Sequence, residues 1–407
     1  MAESCTAERR AGMDRYAYYK SLFESLPKPS AFVDLDLLDA NAAAIAREAG
    51  DKKVRIASKS IRCVEVLRRI LRSSPVYQGI MCFTAAEAAY LVREGFDDLL
   101  LGYPQWEPEE IGNLITMAGE GRSITFMVDC REHAERIGKL AAERSLQASV
   151  CIDLDMSVSY PGLHFGVRRS PLAGWEAMRP LAESILASPW LKLEGLMGYE
   201  AQIAGVGDNV PGSGLKNALI RQLKRRSIRE VARRRREAVE GLQSLGARLR
   251  FVNAGGTGSM ASSRTEAVVT EITAGSGFYS PGLFDNYEGF SYQPAAGYAV
   301  EVVRRPGPGI VTCMGGGYTA SGPAGKDKLA KPYLPEGLRL LPLEAAGEVQ
   351  TPLTGSAAER LSIGDPVFFR HAKAGELCER FKVLHAVSQG NIVGEYATYR
   401  GAGECFL

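Results

Sequence analysis

The sequence predicts an α/β protein: a (β/α)8 barrel of the TIM type followed by a mostly antiparallel β domain. Three observations lead there. Between residues 54 and 275, short β-branched or apolar runs alternate with amphipathic stretches of helical period, the pattern of repeated βα units. Those runs number eight, the count that closes a barrel, over close to the roughly 250 residues a barrel takes. Beyond residue 285 the texture changes to short β-rich segments separated by Gly, Pro and Ser, which argues for antiparallel pairing. An open doubly wound sheet is the alternative for the first part.

In chain order, an extra βα unit comes first, with a strand at 30–36 and a helix at 37–48. The barrel strands are expected at 54–58, 79–83, 98–103, 124–129, 149–155, 193–199, 249–255 and 268–274, with helices such as 64–72 and 85–94 between them. In the sixth connection the basic run 221–236 fits a helix with one apolar stripe through Leu219, Leu223, Val231 and Val239. A solvated barrel helix is the plain reading. Like charges on successive turns repel, so an anionic partner or a subunit contact is the alternative. Strands of the second domain are expected at 297–304, 309–313, 366–370, 381–386 and 391–399. The division is therefore 28–284 for the barrel and 285–407, with part of 1–27, for the β domain.

At 407 residues, 45% of them hydrophobic, the chain can bury a large core. Its 49 basic and 47 acidic residues leave a net charge of +2, so no global field draws nucleic acid or a membrane surface, and a small-molecule ligand is expected. There is no run of about 18 uncharged apolar residues, and the N-terminus is charged and lacks the apolar centre of a signal peptide. A cytoplasmic protein is expected. The eight cysteines are scattered without a CxxC pair, which points to reduced thiols rather than a disulfide framework.

A barrel of this kind places its site at the C-terminal ends of the strands. The first strand ends in RIASKSIRC, where Lys59 sits just past the last apolar residue, near Arg55 and Arg62. Cationic neighbours and low dielectric lower an amine's pKa and make it a nucleophile toward an aldehyde; an exposed loop lysine is the plain alternative. The seventh strand runs into FVNAGGTGSMASS, where Gly255, Gly256, Thr257, Gly258 and Ser259 lead into a short helical segment. Small residues let the backbone approach an anion, and consecutive N–H groups supply donors. Gly275, Ser276 and Gly277 repeat that chemistry after the eighth strand. Loops after strands seven and eight are where barrels most often bind phosphate. A lysine facing such a cup suits a cofactor with an aldehyde at one end and a phosphate at the other, which describes pyridoxal 5'-phosphate. Tyr199, Glu200 and Gln202 place a phenol, a carboxylate and an amide at the sixth strand end. Tyr199 or Glu200 is a candidate for proton transfer, and Gln202 for holding a substrate carboxylate. The stretch MGGGY lets a loop of the second domain approach the mouth, which makes Tyr318 a candidate substrate contact.

The segments PSAFVDLDLLDANAA, VRIASKSIRC, MCFTAAEAAYLV, LLLGYP, LMGYEAQIAG, VNAGGTGS and TEITAGSGFYS occur in the order seen in the D-threonine aldolase and D-serine dehydratase group of the alanine-racemase-like fold. The chain resembles that group from about residue 30 to its C-terminus. The resemblance implies that Lys59 holds the cofactor, that loops 255–259 and 275–277 bind its phosphate, and that the protein is a homodimer. Two departures bear on the reaction. Arg55-Ile56-Ala57 stands where the group has Arg-Pro-His, and in SVSYPGLHFGV His164 stands where it has an arginine, which makes His164 a candidate cofactor or substrate contact. The group's aldolases and dehydratases also bind a divalent metal through a His-x-Cys or His-x-Asp pair. Here His371 matches, but Lys373 takes the partner position, and an ammonium cannot ligate a cation. Glu376 or Cys378 could complete a metal site with His371. Otherwise the site is metal-free and Lys373 is a fixed positive charge. His133 and His385 read as surface and core residues.

The resemblance and the site residues together imply a lyase acting on a D- or β-hydroxy amino acid through a Schiff base on Lys59, by aldol cleavage with a base near His371 or by dehydration. An amino-acid racemase is the runner-up. It gains weight if the metal pair is lost, because polarising a β-hydroxyl is the metal's task. A non-catalytic carrier of the cofactor, and a phosphate-binding barrel whose Lys59 serves carbonyl chemistry without vitamin B6, are the remaining readings.

Overall fold

The structure, a computed structural model, describes residues 14–407. After β1 (Ser30–Asp34), the barrel is built from β2 (Lys53–Ala57), β3 (Tyr77–Cys82), β4 (Leu99–Leu101), β5 (Ile124–Val128) and β6 (Ala148–Asp153). A small hairpin of β7 (Val158–Tyr160) and β8 (Leu163–Phe165) then interrupts it before β9 (Leu191–Gly198), β10 (Phe251–Ala254) and β11 (Glu271–Ala274). Every neighbour in the ring pairs in parallel, and β11 closes on β2 with Ala274 opposite Ile56. The eight predicted strands are thus all present, in a closed ring rather than an open doubly wound sheet. Runs such as ITFMV of β5 are buried at every position, as expected for strands covered by helices outside and side chains within. Leu100, Met127, Cys151, Met197 and Phe251 form one layer of that interior.

The second domain is a nine-stranded sheet. It contains β12 (Ala296–Gly307), β13 (Ile310–Met314), β14 (Lys331–Leu334), β15 (Leu338–Leu340), β16 (Gln350–Gly355), β17 (Pro366–Arg370), β18 (Val383–Ser388) and β19 (Asn391–Ala397). Its ninth strand is β1, antiparallel to β12 and parallel to β18. Grouping residues 28–52 with the barrel therefore needs correcting for the strand. The reason is an aromatic cluster in which Phe32 of β1 packs with Tyr19, Phe23 and Phe368. The helix Arg15–Phe23 lies on that same cluster, which joins the described part of 1–27 to the β domain. The helix Leu35–Ala49 returns to the barrel, where Asn41 donates to the carbonyls of Phe278 and Gln293 at 2.9 and 2.7 Å.

The basic run lies within one long helix, Gly214–Ser244. Val231 and Val239 are buried as expected, whereas Leu219 is exposed. The repulsion inferred from the sequence is answered in part within the chain. Arg233 pairs with Glu230 and Glu237, Arg234 with Glu230, Lys224 with Asp208, and the fully buried Arg235 with Glu200 and Glu266.

Candidate active site

A cavity of about 630 Å³ opens at the C-terminal ends of the strands, lined among others by Lys59, Tyr103, His164, Arg169, Tyr199, Gln202, Gly256, Thr257, Gly258, Ser276, Ser321 and Lys373. Lys59 sits in a single 3-10 turn, Ser58–Ser60, directly after β2. Its ammonium donates to the Tyr103 hydroxyl at 2.8 Å. Burial alone would raise the phenol's pKa, but the charges of Lys59 and Arg169 outweigh it and hold the group below its usual value. The turn is fixed from behind. Arg62, at φ +51, donates through Nε to the Lys59 carbonyl at 2.9 Å and pairs with Glu379 at 2.6 Å.

The two glycine loops meet beside the Lys59 turn, where the Ser60 and Ser276 hydroxyls lie 3.4 Å apart. The N–H groups of Gly275 and Gly277 donate to the Thr257 hydroxyl at 3.5 and 3.2 Å, which ties the loops together. Thr257, Gly258 and Ser276 open short helical turns and line the cavity, and the first N–H groups of a turn have no acceptor within it. A Cβ on Gly258 would lie 2.4 Å from the Ala204 carbonyl oxygen, and one on Gly275 2.8 Å from Ser60 Oγ, so the cup needs glycine at both positions. Ser259 and Gly277, expected to touch a phosphate, do not face the cavity. The Ser259 hydroxyl donates to Glu200 at 2.8 Å, and the Gly277 N–H is taken by Thr257.

Glu200 is a strut rather than a proton carrier. It is 1% exposed, and it accepts from Arg235 at 2.9 Å, from the Gly255 N–H at 3.2 Å, and from the Ser259 and Ser263 hydroxyls. Tyr199 lines the cavity with its pKa pushed up to about 12 by burial and by Glu200. Gln202 also lines it, with its amide nitrogen donating to the Met156 carbonyl.

Several expectations need correcting. Arg55, predicted beside the cofactor, points into the lower barrel. It is 0% exposed and is held by Glu271 at 2.8 Å and Asp98 at 3.2 Å, at the opposite ends of the strands from the cavity. Neither Arg55 nor Arg62 presses an unpaired charge on Lys59. Tyr318 is half-buried under Arg380, whose guanidinium lies 5.0 Å from the ring centroid, and it does not line the cavity. Ser321, three residues on, reaches the cavity instead. His371 is fully buried beside Tyr279 and lies outside the cavity lining; burial and the adjacent Arg370 push its pKa down to about 3. Its proposed metal partners are engaged elsewhere. Glu376 accepts from the Ser321 N–H at 3.1 Å and from its hydroxyl, and Cys378 donates to the Ile61 carbonyl at 3.2 Å. Both ring nitrogens of His371 are buried without a hydrogen-bond partner, but neither Glu376 nor Cys378 joins it in a three-ligand group, so among the described residues no divalent-cation site is assembled at His371. Among the described residues, only Asp129, Cys130 and His133 bring three such ligand atoms together. They lie outside the cavity lining, and His133 contacts Asp129 at 2.9 Å. His133 and His385 are both half-buried rather than surface and core. The seven described cysteines are unpaired.

Sequence reasoning passed over Arg169. The β7–β8 hairpin returns its guanidinium to the cavity, 4.8 Å from the Tyr103 ring centroid and 5.6 Å from that of Tyr199, five residues past His164. Asp153, at the end of β6, lies 4.0 Å behind it, with its pKa pushed up to about 7 by burial. The signal was an arginine just beyond an inserted hairpin, and only the hairpin's return shows where it goes.

A family model described as alanine racemase, N-terminal domain, matches residues 33–281, more than half of the chain. The chain belongs to the alanine racemase N-terminal domain family. Among curated proteins, the 3-hydroxy-D-aspartate aldolase of Paracoccus denitrificans strain Pd 1222 is 24% identical over 254 residues, which cover 61% of this chain and 59% of that one. The match thus spans about three fifths of the curated relative's length. Among solved structures, D-threonine aldolase from Filomicrobium marinum superposes with a TM-score of 0.79 at 17% identity, covering 93% of this chain and 97% of that one. D-threo-3-hydroxyaspartate dehydratase from Delftia sp. HT23 gives 0.72 at 18% identity, covering 93% and 98%. These two solved structures cover both the barrel and the second domain, so the likeness in fold runs well past the segment the family model matches.

Proposed function

We propose that this chain is a pyridoxal-phosphate-dependent lyase that cleaves or dehydrates a β-hydroxy amino acid of D configuration. One observation carries the proposal: a single cavity is lined both by the Lys59 amine and by the knitted N–H cup of Thr257, Gly258 and Ser276. The donor set fits the group. An amine awaits an aldehyde, backbone donors await a phosphate, and Tyr103 and Tyr199 flank the space between. Bound there, the cofactor would withdraw electrons from the substrate's Cα.

Each side chain then has a task. Tyr103, hydrogen-bonded to Lys59 and held partly acidic, orients the amine and can exchange a proton with it. Arg169 offers a guanidinium to a carboxylate or phenolate on the β6 side. Because His371 does not line the cavity, the base expected near it is assigned to another group, and Tyr103, His164, Tyr199 and Glu376 are the cavity residues with the chemistry to serve. The aldolase and dehydratase relatives support the lyase reading over the racemase. A homodimer in the cytoplasm belongs to the same proposal. Among the described residues, no helix is long and apolar enough to cross a membrane. Light scattering of the purified protein tests the dimer.

The deciding experiment is an absorbance spectrum of the purified protein, after incubation with pyridoxal phosphate, before and after borohydride, with peptide mapping. A visible band that reduction abolishes, leaving a pyridoxyl group on Lys59, is the expected result. A protein that stays colourless after incubation refutes the proposal.

A further inference from the structure

We propose that Lys373 is a specificity-determining residue: it binds a second, anionic group on the substrate's side chain and selects amino acids whose side chain ends in an acid. This rests on reading the cavity as an amino-acid site. Its own support is separate and begins with the backbone. The turn after β17 is pressed onto the Lys59 turn so closely that a Cβ on Gly375, at φ +86, would lie 1.9 Å from the Lys59 carbonyl oxygen. Only glycine permits that approach, and it delivers Lys373 from the second domain to the mouth of the barrel.

Once there, the ammonium has neutral partners and an incomplete counter-charge. It donates to the Ser321 hydroxyl at 2.7 Å and to the Ser321 carbonyl at 3.2 Å. The nearest carboxylate is Glu376 at 3.9 Å, and its oxygens already accept from the Ser321 N–H and hydroxyl. Burial, with the charges of Lys59 and Lys328, depresses the Lys373 pKa against the opposing pull of Glu376. An anion beside the ammonium would relieve that cost.

The charges around the cavity assign the anion's place. Lys59, Arg62, Arg169 and Lys373 all line it, against the single carboxylate Glu376. Arg62 is neutralised by Glu379, and Lys59 is committed to the cofactor. Arg169, between Tyr103 and Tyr199, is the deep cation and suits the α-carboxylate. Lys373, at the rim beside Ser321, is left for a carboxylate one or two carbons further out, and a neutral side chain would leave it only Glu376 at 3.9 Å, a carboxylate shared with Ser321. The same placement explains how a positive charge stands near the reacting substrate in a site whose residues do not assemble a metal at His371.

The test is calorimetric binding to the cofactor-loaded protein of two unreactive 2-hydroxy acids, D-malate and D-lactate, which differ by one carboxylate. We expect D-malate to bind on the order of 10- to 100-fold more tightly, as one charge-assisted hydrogen bond gives. Lys373→Met should abolish the preference while the cofactor's absorbance is kept, and Lys373→Arg should restore most of it. Dialysis against EDTA should leave the preference unchanged. Equal binding of the two acids by the wild type, a preference that survives in Lys373→Met, or one that vanishes with chelation overturns the assignment. A wild-type protein that takes up no cofactor overturns the underlying reading instead.

Discussion

Glu200→Gln is the substitution that most directly probes how the fold supports the cup. The carboxylate has four donors: Arg235 and the Gly255 N–H on one oxygen, and the Ser259 and Ser263 hydroxyls on the other. A glutamine amide has one oxygen and an NH2 group, so either the Arg235–Gly255 pair or the two hydroxyls must face hydrogens. Arg235 is 0% exposed and would keep Glu266 and the Gly198 carbonyl, but lose half of its charge compensation. Breaking one partner of a buried pair costs about 3–5 kcal/mol, against a total stability of about 5–15 kcal/mol. The urea unfolding midpoint of the cofactor-free variant should fall accordingly. Where the NH2 faces the Arg235–Gly255 pair, Gly255, at φ +83, loses its anchor in the same change; where it faces the hydroxyls, Ser259 at the base of the cup must turn to accept, and in either case pyridoxal phosphate should bind about tenfold or more weakly as the cup's donors lose alignment. In an Arg235→Met background, Glu200→Gln should cost less by about 0.5–3 kcal/mol, the coupling expected of contacting groups. A loss under about 1 kcal/mol with unchanged cofactor affinity would refute the strut.

Arg55→Met leaves Glu271 and Asp98 facing an uncharged side chain, and it should destabilise the fold by about 3–5 kcal/mol while borohydride still labels Lys59 in the folded fraction. Gly258→Ala places a methyl against the Ala204 backbone oxygen. It should weaken cofactor binding with the far-ultraviolet circular dichroism unchanged; undiminished affinity would remove that loop from the site. Two buried groups predict pH effects of opposite sign. His371 is held near pKa 3, so only the unfolded chain takes up its proton. Its contribution is full above about pH 6.5 and is lost as pH falls toward 3, at about 1.4 kcal/mol per pH unit. His371→Gln should flatten that fall in the urea midpoint. Asp153 is held near 7, so the folded chain keeps its proton and the contribution is lost as pH rises from about 3.9 to 7. Asp153→Asn should flatten that rise-linked loss instead, and a variant that tracks the wild type across pH 3–8 refutes the corresponding assignment.

The barrel was legible because its strands are buried on both faces and so read as uninterrupted apolar runs; ITFMV and FVNA need no knowledge of their neighbours. Lys59 and the two glycine loops were legible because a strand end followed by a lysine or by small residues keeps its meaning wherever the rest of the chain goes. What failed to show in sequence depends on contacts between distant segments. Strand β1 joins the second sheet because Phe32 meets Phe368, 336 residues away. Arg55 and Lys59, four residues apart, face opposite ends of the barrel, because Arg55 projects from within a strand toward Glu271 and Asp98 whereas Lys59 sits in the turn beyond it. Strands β14 and β15 were missed because KPYLPEGLRL breaks its β-forming residues with two prolines and a glycine, and β16 because QTPLTG carries a proline inside it and a glycine at its end. His371 was misjudged in the same way. Its position in sequence marks a place beside the site, but the closeness of Gly375 to Lys59 rotates Lys373 into the cavity and leaves the imidazole in the core. Residues whose roles are set by one strand end can be assigned from sequence, and residues whose roles are set where two domains meet must be assigned from the meeting itself. Here that meeting exchanges an expected metal ligand for an ammonium.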